Sequence, residues 1–347
     1  MSINRKLFNE TKSYFCDYDC NPYEMEQFLF HCQSFEERRE KASDIIKDIM
    51  GIHGKEKLYR HVVELAKVEY GIRELQPWVR DHVVHALISF ILGIYLNEKF
   101  LNLISEIHVD EFQWKLAGLF HDIGYPLEIA NYVLNPYSNK INEIKRELNV
   151  TSEDIVIKVV PVGLERLTNN RNSFDLIQNR INEWELEINV EDEYNQMIKS
   201  GDICHGMISS LTLLYVIDLM YQKYNPERKY SDTYGISEKI NWNQTYFESD
   251  VVSACSAIYI HNLPERCFEN AKIDRSKAPV AFLLKLSDCL QDWERPKHDF
   301  DGFPGTVFDI NLNNDQLILH ADISDERKEK IKDEILSSLV AHDVRIY

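Results

Sequence analysis

Apolar residues recur every three or four positions along most of this chain, the spacing of helices with one buried face. The stretch "SFEERREKASDIIKDIMG" opens on a Ser cap and closes at Gly51, and "KEKLYRHVVELAKVEY" keeps the period up to Gly71. Pro77 stands near the start of a long segment, "PWVRDHVVHALISFILGIYLNEKF". A helix is predicted over "VDEFQWKLAGLFHDIG", and several more between "PLEIANYVL" and "LIQNRINEWELEI". "HGMISSLTLLYVIDLMYQKY" and "SDVVSACSAIYIHNL" are apolar nearly all round, as buried helices are, and "APVAFLLKLSDCLQDWER" adds another. Only the tail changes period. "TVFDINLNNDQLILHADI" alternates around an Asn-Asn-Asp turn and predicts a β-hairpin, with the polar helix "DERKEKIKDEILSSLV" behind it. The pattern therefore predicts a mainly α protein with a small C-terminal α/β element. The segment "YNPERKYSDTYGISEKINWNQ" reads as a long functional or mobile loop.

Against that pattern several residues are misfits. His82 and His85 lie one turn apart on an apolar helix. His121 and Asp122 stand side by side at the end of "KLAGLF", His205 opens one apolar helix, His261 closes another, and Asp288 interrupts "FLLKLSDCL". Each such group costs several kcal/mol if it is buried without a partner. Taken singly, a cap, a core hydrogen bond or an ion pair accounts for any of them. Taken together, one shared partner removes the cost for all, and a divalent metal is the most economical, because neutral imidazole and carboxylate are its usual mixed ligands.

Composition narrows the function classes. The 347 residues, 44% apolar and 28% charged, suffice for a sizeable core. No apolar run approaches the roughly 20 residues of a membrane helix, and the N-terminus lacks the apolar region of a secretion signal, so a cytoplasmic protein is expected. A net charge of -18 repels polyphosphate backbones and argues against long nucleic acid, while leaving room for a small anion met by metals or a few cations. Seven scattered cysteines fit reduced thiols. Cys16, Cys20, His31 and Cys32 could be drawn as a zinc site, but their spacing is not a standard one.

The order His, His-Asp, His, His, Asp resembles that of the HD-domain metal-dependent phosphohydrolases. The matching pieces are "HALISF" at His85, "LFHDIGYP" at His121 and Asp122, and "LLKLSDCLQDWER" at Asp288, with His205 and His261 where the two-metal versions add histidines. The likeness spans roughly residues 78 to 295. The longer signature of the HD-GYP branch is absent despite the "GYP". Residues 1–75 are then expected as an N-terminal helical segment packing on the core, 76–298 as the HD-type core with an insertion around 127–200, and 299–347 as the hairpin and final helix.

What the resemblance implies is a hydrolase. His85, His121, Asp122 and Asp288 would hold one ion, and Asp122 would bridge to a second held by His205 and His261. The ions would number two and be drawn from Mn, Fe, Co, Ni, Zn or Mg. Activated water would attack phosphorus in a small phosphorylated molecule, a nucleotide first among them, with no covalent intermediate. Beside Asp122, His82 and Lys285 are candidate catalytic groups, His82 being open to a ligand, outer or packing role. Asp81 could orient His85. Arg80, Lys115 and Arg295 are candidate phosphate contacts, and Trp293 and Tyr125 candidate stacking groups. Two rival readings remain open: a non-catalytic nucleotide-binding sensor or scaffold, and a single-strand nuclease, which would need a basic groove. The C-terminal element offers a surface for homo-oligomerisation or docking.

Overall fold

The structure is a computed structural model describing residues 3–17, 21–51, 55–66, 68, 81–101, 109–157, 159–223, 246–291, 306–313, 316–322, 324–341 and 343–347. It is mainly helical. The first four helices are α1 (Ile3–Asp17), α2 (Pro22–Phe30), α3 (Phe35–Gly51) and α4 (Glu56–Ala66). They are followed by α5 (His82–Leu96), α6 (Glu111–Phe120), α7 (Tyr125–Glu147), α8 (Ser173–Glu183) and α9 (Val190–Ser200). Next come α10 (His205–Lys223), α11 (Val252–Ile260) and α12 (Pro279–Leu290). The C-terminal element is β1 (Thr306–Asn313), β2 (Gln316–Asp322), α13 (Asp325–Ser338) and β3 (Asp343–Ile346). Among the described residues no helix is long and apolar enough to cross a membrane.

The starts of these helices follow from side chains that accept the first free N–H groups. Ser34 Oγ accepts from the Glu37 amide at the head of α3 (3.1 Å), and Asp110 Oδ1 accepts from Phe112 and Gln113 at the head of α6 (2.8 and 3.2 Å). Asp81 caps α5 through the Val84 amide (2.9 Å), and its other oxygen makes a buried ion pair with Arg39 of α3. That cap places the described start of α5 at His82.

Helices α5 and α11 are buried on every side, which explains their unbroken apolar sequences. Helix α6 packs on α5, α11 on α6, α10 and α12, and α12 on α5, so these helices form the centre of the molecule. Helices α1 and α3 lie against α5, and α4 against α10. In the tail, β1 and β2 pair antiparallel from Thr306↔Asp322 to Asn313↔Gln316, as the alternation predicts. The parallel strand β3 beside β2 goes beyond the sequence pattern, since four residues are too few for alternation to register. Helix α13 packs on both β3 and α12, which joins this element to the helical core. The whole of "YNPERKYSDTYGISEKINWNQ" lies outside the described residues, as does Cys20 of the cysteine-rich stretch.

Candidate metal centre

Three helix ends, one turn and two helix bodies deliver the misfit residues to one place. His121 caps the C-terminus of α6 and His261 that of α11, so both rings sit at the negative ends of helix dipoles, where a cation is favoured. His205 begins α10, and Asp122 lies in the turn between α6 and α7. His85 comes from the body of α5 and Asp288 from that of α12.

Two close approaches make this convergence possible. A Cβ at Gly124 would sit 2.7 Å from the His205 carbonyl and the Ser209 amide, and one at Gly206 would sit 2.8 Å from the Ile258 carbonyl and 2.9 Å from the His261 ring. Gly124 has an ordinary helical φ of -85°, so lack of space rather than backbone conformation calls for glycine there. Its amide donates to Ser209 Oγ (2.8 Å), which locks the turn against α10.

The donors form two clusters that share one carboxylate: His85, His121 and Asp122 in the first, Asp122, His205 and His261 in the second. In the first, His85 Nε2 and His121 Nε2 are 3.3 Å apart, and each lies 3.5 Å from an Asp122 oxygen. Asp288 Oδ1 adjoins both rings, 3.1 Å from His85 Nε2 and 3.8 Å from His121 Nε2. In the second, His205 Nε2 and His261 Nε2 are 3.3 Å apart and lie 3.2 and 3.9 Å from Asp122 Oδ1.

The far nitrogens of all four rings are engaged. His121 Nδ1 meets the Gly118 carbonyl (3.1 Å), His261 Nδ1 the Ile258 carbonyl (2.7 Å), His205 Nδ1 the Glu128 carboxylate (2.7 Å), and His85 Nδ1 the Gln291 side-chain oxygen. With the proton on Nδ1, each neutral ring turns its Nε2 lone pair inward, so the two Nε2 pairs would face each other lone pair to lone pair. A cation between them removes that repulsion. Two nitrogens about 2.1 Å from one tetrahedral ion stand about 3.4 Å apart, close to the separations found. The donor set thus fits two divalent ions bridged by Asp122, and the paired clusters support a metal-dependent catalytic site.

Burial opposes the charge on Asp122, but His121, His205 and His82 outweigh it and hold its carboxyl well below the usual range. At His205 burial favours the neutral ring, yet Asp122 and Glu128 together lift its pKa well above the ordinary value. For His261 burial dominates, joined by His205 and His121, and lowers the pKa to about 3. A metal would therefore displace a proton from His205 and find His261 already neutral.

Several expected residues sit elsewhere. Lys115 is 0% exposed and ion-paired with Glu111 one turn away, so its assignment as a phosphate contact is corrected: the ammonium is committed to a carboxylate inside the core. Tyr125 packs its ring on His82 (3.7 Å between centroids) and edge-on against His205 (5.1 Å), supporting imidazoles rather than presenting a face for a base. Gln291, and not Asp81, holds His85 Nδ1, because Asp81 caps α5 and pairs with Arg39. His82 is buried at the margin, its Nε2 4.0 Å from Asp122 Oδ2. Lys285 is half-buried one turn before Asp288. Burial pulls its pKa down, but Cys289, Asp288 and Glu334 prevail and raise it. Arg80, Trp293 and Arg295 lie outside the described residues.

Glu128, Asn262 and Gln291 are the residues of the site that the sequence reading missed. Asn262 Nδ2 stands 3.1 Å from His205 Nδ1. The one available signal was position, since Gln291 follows Asp288 by a single turn and Glu128 lies in the first turn after the doublet. Two cavities border the centre. A small apolar one, about 30 Å³, reaches Asp122 and His82 past Ile46, Val62 and Phe120. A wider cleft of about 520 Å³ opens beside Glu128, Cys204 and Asn262.

No family model, curated protein or solved structure matches the chain. The class stated here, a mainly helical protein with a paired metal-type His/Asp centre, therefore rests on the fold and the geometry of the site.

Proposed function

We propose that the protein is a divalent-metal-dependent phosphohydrolase of the HD type, acting on a small phosphorylated molecule, most simply a nucleotide. The observation that carries this reading is the single carboxylate, Asp122, shared by two histidine pairs whose Nε2 atoms converge. His85, His121, Asp122 and Asp288 would hold one ion, and Asp122, His205 and His261 the other. Bound together, such ions supply Lewis acidity toward a phosphoryl oxygen and a water acidic enough to react near neutral pH.

The chain's own groups do the rest. Asp122 stays ionised in a buried setting and keeps the two donor sets in register. The Nδ1 acceptors fix the tautomer of each ring, so that no reorganisation is needed when substrate arrives. His82, beside Asp122 Oδ2, is the group we assign to proton exchange with the reacting water or the departing oxygen. Lys285 is the cation we assign to the substrate anion, its raised pKa keeping it charged. The net charge of -18 favours a compact substrate over long nucleic acid.

The test is metal content and phosphate release measured side by side, in the protein and in Asp122→Ala, across phosphomonoesters, cyclic nucleotides and nucleoside triphosphates. Two ions per chain with turnover, both lost in the variant, is the expected result. Two ions with nucleotide bound and no turnover would replace the hydrolase by a sensor.

A further inference from the structure

We infer that Glu128 is the positioning residue that lets His205 hold the second ion; this rests on the two-ion reading of the centre. Of the four histidines, His205 is the one whose Nδ1 meets a carboxylate among the described residues, while His85, His121 and His261 meet neutral oxygens. The difference answers an imbalance between the clusters. Among the described residues, the Nε2 atoms of the first pair have both Asp122 and Asp288 beside them, whereas those of the second pair have Asp122 and no other carboxylate.

The two helix ends at the second cluster also differ in sign: His261 caps the C-terminus of α11, where a cation is favoured, whereas His205 stands at an N-terminus. His205 is the first residue of α10, so the positive end of that helix lies at the ion's position. Glu128 Oε2 accepts from both the His205 backbone amide (3.0 Å) and His205 Nδ1 (2.7 Å). A single carboxylate oxygen thereby covers the helix end, fixes the ring's rotation, and places negative charge behind the imidazole. A carboxylate behind a ligating ring strengthens its metal bond, and loss of such a partner typically costs 10–100-fold in affinity. The Glu128 side chain is 33% exposed and lies along the wall of the 520 Å³ cleft.

The experiment titrates Mn(II) into metal-free protein and follows free and exchange-coupled manganese by electron paramagnetic resonance. Glu128→Gln keeps an oxygen acceptor and removes the charge; Glu128→Ala removes both. We expect the first Mn(II) to bind both variants within twofold of the parent protein. The second should bind at least about tenfold more weakly in Glu128→Gln and about 100-fold in Glu128→Ala, replacing the coupled signal by that of isolated Mn(II). Thermal unfolding of the metal-free proteins checks the fold, and Glu128→Gln carries the test should Glu128→Ala unfold. Equal weakening of both ions would show a merely structural role and overturn the inference. Unchanged binding of the second ion would overturn it while leaving the two-ion centre intact. Absence of a coupled pair in the parent protein would remove both.

Discussion

Replacing Gly124 by alanine tests whether the crossing of α7 and α10 builds the centre. The added Cβ would stand 2.7 Å from the His205 carbonyl and the Ser209 amide and 2.9 Å from Ile208 Cβ, where ordinary contacts begin at 3.4 Å. Two of those neighbours are backbone, so no rotamer change relieves the clash and the turn itself has to withdraw by about 0.7 Å. Asp122 belongs to that turn. Its Oδ1 lies 3.2 Å from His205 Nε2 and already 3.9 Å from His261 Nε2, so the withdrawal would loosen its reach to the second donor pair. Overpacking of this kind costs about 1–3 kcal/mol, and for a chain of this length each kcal/mol lowers Tm by about 1.4 °C. We expect calorimetry of the metal-free Gly124→Ala protein to show a Tm about 1.5–4 °C lower. Metal titration should show the second ion weakened at least about tenfold and the first little changed. A parent-like Tm with two ions bound at parent affinity would refute the reasoning, because the close approach would then not set the Asp122–His205 separation.

Two further expectations follow from the same geometry. Lys115→Met strands Glu111 in a largely buried position and should cost about 3 kcal/mol in denaturant unfolding, with KM for any phosphorylated substrate unchanged; a raised KM without loss of stability would restore Lys115 as a substrate contact. His261, held at about 3 by burial and by His205 and His121, refuses a proton that the unfolded chain accepts below about pH 6.5. Its contribution to stability is thus present at neutral pH and declines as pH falls through that window, by about 2 kcal/mol between pH 6.5 and 5. His205, whose pKa is raised, works in the opposite direction, so the comparison has to be made within one site: the metal-free His261→Asn protein should lose less stability than the parent between those pH values. An identical pH profile in the two proteins would contradict the assignment.

The sequence by itself determined the helical architecture, the hairpin with its following helix, and the identity of the buried donors. It could do so because these are local or one-body facts. Amphipathic period, a cap such as Ser34, and the cost of a histidine or aspartate on an apolar helix are all read without knowing any neighbour. Only the tertiary structure decided how those donors are held. Gln291 meets a histidine 206 positions away and Glu128 one 77 positions away, and neither residue type is unusual where it stands. The same limit explains Lys115, which looks like a substrate cation near the doublet until packing buries it on Glu111. It also explains Gly124, whose need for glycine comes from a helix 85 residues further along. A sequence shows which groups need partners; the crossing of helices distant in the chain selects the partners.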